Sequence, residues 1–286
     1  MINLLQFNVK GITMKTLPKL YFALFLCMTF LSQNAFSNNI NNEDIYSYLD
    51  LSGTKTALDG IPEQMFAMGQ QMQLTAKNPE ESNRVMEVLA NSWQVDDMER
   101  IVFEHVTQNF TAVELKNLLV WLQSDLSRRI KQSEEKPSEP NFNQEFMQYM
   151  AKVQTNPPSP ERIQAVRNFI ESTQMVDHTV DMVVGIAKGI TKNVQVTEAE
   201  ALTDEQFESQ MQQMEAMMKP QLEQQLILVS YFIYENLTNE DINRYADFYQ
   251  KPLGQKELKV MSGAVVKALG SWSENAFNTL NNEMSE

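Results

Sequence analysis

Two segments of this chain, 127 residues apart, carry the same capped amphipathic helix, and no window alternates polar and apolar residues as a half-buried strand does. Glu104 to Arg129 reads EHVTQNFTAVELKNLLVWLQSDLSRR, and Tyr231 to Lys256 reads YFIYENLTNEDINRYADFYQKPLGQK. Asn109/Asn236, Thr111/Thr238, Gln123/Gln250 and Leu126/Leu253 are identical, while Glu114/Asp241, Leu115/Ile242, Trp121/Phe248 and Arg129/Lys256 keep the physics. Each copy opens on a threonine with an acid three residues later, the pattern that satisfies orphan amides at a helix start and suits its dipole. Leu115, Leu118, Leu119, Leu122 and Leu126 then fall on one helix face, as do Ile242, Tyr245, Ala246, Tyr249 and Leu253. Tyr48-Leu49-Asp50 and Phe169-Ile170-Glu171 form a looser pair upstream. The pattern predicts an all-α protein of two related helical units, an internal repeat packed as an irregular helical bundle.

Other helix starts are legible. Asn78-Pro79-x-Glu81 and Ser159-Pro160 each place a cap before proline, and Thr203-Asp204-Glu205-Gln206 is a capping box. The last opens a long pattern towards Asn236, with Pro220 expected to bend or divide it. The strongest breakers are Pro137 to Pro140 and Thr155 to Pro160 (TNPPSP), which enclose a short amphipathic stretch from Phe142 to Val153. The expected organisation is a first unit over 38–136, a proline-rich connection with one short helix over 137–160, and a second unit with a C-terminal helix over 161–286.

The N-terminus calls for a different account. Leu20 to Leu31 is an apolar run too short to span a bilayer, preceded by Lys15 and Lys19 and followed by small residues at Ala35 and Ser37. Residues 1–37 are therefore expected to be a signal peptide cleaved after Ser37, with 1–13 a possible upstream start because Met14 already begins a complete signal. The chain's one cysteine, Cys27, leaves with it, which excludes disulfides and thiolate chemistry from the mature protein. Leu26 is too large for a lipoprotein processing site. The whole chain has a formal charge of −14; the leader carries three lysines and no acid, so processing leaves −17. Such a surface disfavours nucleic acid and anionic lipid, and no stable membrane insertion is expected after cleavage. The implied location is the periplasm.

Thr238, Asp241, Phe248, Tyr249, Pro252, Gly254, Gln255 and Lys256 match in order the core of the periplasmic DUF2059 proteins, a capped helix running into Phe-Tyr-x-x-Pro-x-Gly-Gln-Lys, and the chain resembles that family. The first copy has Trp121, Leu122, Asp125, Ser127, Arg128 and Arg129 at the corresponding places and looks like a degenerate second copy. The resemblance implies an exported helical protein and no established activity.

No constellation commits the chain to a reaction. Pro252 and Gly254 read as a structural stop, with the glycine available for a left-handed residue. Met65, Met68 and Met72, and Met211, Met214, Met217 and Met218, are thioether clusters of the kind that suits Cu(I). Phe207, Met211, Met214, Met218 and Leu222 nevertheless follow core spacing, and methionine commonly fills helical cores. His105 aligns with Phe232 and reads as a partly buried helical residue, and His178 with Asp177 and Asp181 reads as a surface pair. No hydrolase elbow, zinc-binding histidine pair or phosphate loop is present. The sequence therefore points away from an enzyme and nominates no catalytic, cofactor-binding or metal residue and no cofactor. It favours a non-catalytic module that contacts another protein or a second copy of itself, with a carrier for an apolar small molecule or lipid as the alternative.

Overall fold

The computed structural model describes residues 40–73, 84, 87–181, 184 and 203–285. The expected leader, Cys27 and the Asn78 cap lie outside these residues, as do the side chains of Met65, Met68 and Met72. The protein is all-α, an irregular helical bundle with no strand among the described residues. In chain order the helices are α1 (Asn42–Leu51), α2 (Thr54–Gln73), α3 (Val95–Asn109), α4 (Ala112–Leu122), α5 (Asp125–Glu134), α6 (Phe142–Thr155), α7 (Pro160–Ser172), α8 (Asp204–Ile233), α9 (Asn239–Tyr249) and α10 (Pro252–Ser285). Among the described residues no helix is long and apolar enough to cross a membrane.

The starts follow from local chemistry. Thr111 and Thr238 each accept from the backbone amide three residues on, and Glu114 and Asp241 return the bond to the cap, so both capping boxes are complete. Thr203 with Gln206 forms a third box, and Ser159 caps α7 with Pro160 at its first position. Pro220 does not divide α8, which runs through it. At the far end of α8, Lys136 and Arg162 donate to the carbonyls of Phe232, Tyr234 and Leu237, supplying cations where the helix dipole is negative.

Two hydrophobic cores result. The first gathers Tyr48, Leu49, Trp93, Val102, Val106, Leu115 and Leu118 from α1 to α4, together with Val260, Met261, Ala264 and Trp272 of α10. The second gathers Leu126 and Ile130 of α5 with Phe142, Val166, Phe169, Leu226, Ile233 and Ile242. These cores do not divide at the proline-rich 137–160 segment. That segment lies against the second core, where Phe142, Phe146 and Tyr149 surround the Phe232 ring. The chain instead leaves the first core at the turn after α4 and returns at the turn after α9, so α5 packs with the helices that follow it and α10 with the helices at the start.

The two turns cross at one place. Trp121 and Phe248, opposite each other in the 127-residue alignment, stack with ring centroids 4.2 Å apart and planes 7° from parallel. On either side the cap acids reach across. Arg129 of α5 makes a fork to Asp241 at 2.7 and 2.8 Å, and Lys256 of α10 contacts both oxygens of Glu114 at 2.7 Å.

Pro252 opens α10 at its first turn, as its missing amide allows. Gly254 has no positive φ; it stands inside the helix because a Cβ there would overlap the Phe248 carbonyl and come 2.9 Å from Tyr249 Cα. The glycine is thus required by close approach of two backbones and not by a left-handed turn. Gly254→Ala should destabilise by about 1–3 kcal/mol through overpacking against backbone that cannot yield. Gly270→Ala, where a Cβ meets nothing within 4 Å, should instead gain roughly 0.5–1 kcal/mol of helix propensity. Thermal unfolding of the two variants side by side checks the contrast.

Candidate functional site

At the crossing lies a partly open cavity of about 50 Å³, walled by α4, α5, α9 and α10 together with Leu51, Ser52, Thr173, Met175 and Thr179. Trp121, Tyr245 and Tyr249 line it with aromatic surface, and Glu134, Glu257 and Lys131 bring charge. Tyr245 belongs to a continuous aromatic set, stacked 4.8 Å from Phe169 and edge-on to Tyr249 at 5.2 Å. The volume suits water-sized occupants and is far below the roughly 300 Å³ at which small-molecule pockets begin.

Two glutamates give the cavity its character. Glu134, the last residue of α5, accepts from the Tyr234 hydroxyl at 2.8 Å and the Tyr245 hydroxyl at 3.0 Å. Glu257 in α10 accepts from the Tyr48 hydroxyl at 3.0 Å, and its second oxygen, Oε2, has no hydrogen-bond partner. Each helix that crosses between the cores therefore carries a glutamate to a tyrosine of the core it enters. Burial pushes both carboxyls up to about 7, against the smaller pull of the tyrosine hydroxyls. Part of the Glu134 residue meets solvent, but protein atoms enclose its carboxyl, which is the group that titrates. The same burial raises Tyr234 and Tyr245 well above the usual phenol range, keeping them as donors.

The cap acids behave in the opposite way. The Arg129 fork holds Asp241 far below the ordinary carboxylate range, helped by Thr238. For Glu114 burial pushes upward, yet the hydrogen bonds from Lys256 and Thr111 outweigh it and the net direction is down.

The residues singled out from the sequence are scattered. His178 is buried rather than part of a surface pair; its Nε2 has no hydrogen-bond partner, and desolvation lowers it to about 4 despite the attraction of Asp177. Asp177 faces solvent and pairs with Lys219 at 3.0 Å. His105 is half-buried against Gly263 and is lowered by burial and by Lys267. Met211 is in the interior while Met217 is 59 % exposed, so that methionine cluster is divided between core and solvent. Among the described residues no group of three or more His, Cys, Asp or Glu comes together as a metal set.

Sequence reasoning passed over Glu134 and Glu257, although a signal exists for each. Glu134 continues the four-residue spacing of Leu126 and Ile130, and Glu257 stands in the stripe of Val260, Met261 and Ala264. An acid at a core position of an amphipathic helix is either partnered or titrated. No protein-family model matches the chain, no curated protein matches it, and no solved structure matches it.

A raised carboxyl favours the folded state at low pH and loses that advantage as pH rises. For Glu257 the window runs from the ordinary carboxylate value of 4.5 to about 7. His178, lowered to about 4, contributes the opposite slope between its ordinary 6.5 and that value. Comparing Glu257→Gln with the parent cancels the histidine. The variant should gain relative stability from pH 5 to pH 8 by on the order of 3 kcal/mol, the size that 2.5 pKa units imply. Denaturant midpoints across that range measure it, and parallel curves would remove the glutamate from the account.

Proposed function

We propose that this chain is an exported, non-catalytic helical protein of the periplasm, built from two related units of the DUF2059 kind, which contacts a partner protein or a second copy of itself through an apolar helix face. Export rests on the apolar run over Leu20–Leu31, its preceding lysines and the small residues before Asn38. Relatedness of the units is supported by the matched positions that meet at the crossing, above all Trp121 with Phe248 and the two exchanged ion pairs.

The observation that carries the contact face is a difference between two helices doing the same structural work. Val113 and Val120 of α4 are 66 % and 70 % exposed, two turns apart on one stripe with exposed Lys116 and Asn117 between them. At the aligned positions α9 has Glu240 and Asp247, also exposed. Packing against the core therefore does not require apolar residues there, and valines on that stripe suit a surface that is covered in use. The crossing cavity, at about 50 Å³, favours this outer face over a carrier interior.

A photo-crosslinking residue at Asn117 should give one discrete adduct in cells. Replacing both valines with the α9 residues (Val113→Glu with Val120→Asp) should abolish that adduct and leave folding stability within about 0.5 kcal/mol, as surface changes usually do. Monomer alone from the parent protein, or an adduct indifferent to the double change, would sink the reading. Cleavage after Ser37 is checked separately: intact mass of the protein recovered from cells should correspond to a chain beginning at Asn38.

A further inference from the structure

We propose that Ser124 is a hinge through which two copies of this chain trade their C-terminal parts, so that the α10 of each completes the first core of the other. This association with a second copy goes beyond the valine stripe of α4 and does not depend on it.

Two turns carry the chain between the cores, and they are not built alike. Gln123 and Ser124 separate α4 from α5. Gln123 is still right-handed helical, and its amide reaches the Leu119 carbonyl. Ser124, at φ −66° and ψ 154°, is extended, and its hydroxyl accepts from the Ser127 amide at 3.2 Å. Rotation of ψ at that one residue makes 112–134 a continuous helix, roughly 34 Å long. The amides of Asp125, Leu126 and Ser127 then bond main-chain carbonyls one turn back, and one serine cap is given up. No glycine or proline between Ala112 and Glu134 opposes this. The second turn is fixed by its covalent structure. Pro252, at the position aligned with Asp125, opens α10; it disfavours a helical Lys251, and in a continuous helix its ring would meet the Phe248 carbonyl. The chain can therefore open between α4 and α5, while α10 stays with the second unit.

The cores fall on either side of that hinge. α5 to α9 make the second core, and the bonds of Glu134 to Tyr234 and Tyr245 and of Arg129 to Asp241 lie wholly within it. α1 to α4 make the first core but need α10 for Val260, Met261, Ala264 and Trp272. Straightening the hinge carries α10 away from its own first core. A second chain opened in the same way offers the identical site, and the two close on each other about a two-fold axis. The contacts of the crossing are then remade between chains: Lys256 with Glu114, Glu257 with Tyr48, Trp272 with Trp93 and Trp121 with Phe248. The hinge and the protein concentration then set the balance between monomer and dimer.

Refolding the purified protein from denaturant at high concentration, followed by size-exclusion chromatography with light scattering, should give a dimer beside the monomer. Ser124→Ala removes the cap and should raise the dimer-to-monomer ratio, roughly fivefold for each hinge straightened. Asp125→Pro imports the proline of the second turn at a first helical position whose preceding residue is already extended, so the variant should fold and yield monomer alone. Val113→Glu with Val120→Asp should leave this dimer unchanged, which separates it from association through the valine stripe. The isolated parent dimer should persist on dilution and return to monomer only where the chain unfolds, because α10 must leave a core for the exchange to reverse. That measurement needs no variant and stands even where a substitution disturbs folding. Monomer alone from both the parent and Ser124→Ala, an undiminished dimer from Asp125→Pro, loss of the dimer in the valine variant, or prompt dissociation on dilution would each overturn the proposal.

Discussion

The acid that caps a helix in one half of this chain also anchors a cation from the other half. Glu114 receives the Thr111 amide and hydroxyl as well as Lys256, and Asp241 receives the corresponding groups of Thr238 as well as Arg129. The Coulomb gain is modest where one partner is as open to solvent as Arg129. What the double use supplies is register: the cap can form only where the helix starts, so the crossing helices are tied to fixed points on α4 and α9. The first core is not completed by a contiguous stretch, because it needs α10 from the far end of the chain. That places long-range contacts at the heart of the fold and makes its assembly slow relative to a simple bundle.

Buried glutamates at Glu134 and Glu257 serve the same constraint at a cost. An apolar helix alone can slide by a turn against an apolar groove with little penalty, whereas a carboxyl bound to Tyr234 and Tyr245, or to Tyr48, admits one position. The cost appears as opposed pH dependences: the glutamates favour the fold at low pH, and His178 and the cap acids favour it at higher pH.

The two helix pairs are alike at the crossing and differ outside it. Gly254 permits α10 to begin against the backbone of Phe248 and Tyr249, a closeness that the sequence after α4 does not reproduce with its Ser127. On the solvent side α4 presents Val113 and Val120 where α9 presents Glu240 and Asp247. The matched parts hold two helices together; of the parts that differ, the valines of α4 and the acids of α9 meet water.

Helix class, the three capping boxes and the inward stripes of α4 and α9 were legible from sequence because each depends on residues within one or two turns. The matched pairs Glu114/Asp241 and Arg129/Lys256 were legible too, but only as equivalents along the chain. That Arg129 meets Asp241 and Lys256 meets Glu114 depends on which core each following helix enters, and local spacing is silent on that. For the same reason the proline-rich segment marked a break in the chain and not the boundary of the cores. Glu134 and Glu257 looked like two acids among 37, and His178 like a surface residue, because periodicity says which face a residue occupies and not what covers it. Sequence determined the helices and their apolar faces through local physics; tertiary packing decided the exchange of α5 and α10, and with it the cavity, since burial and partnership are properties of segments brought together from a distance.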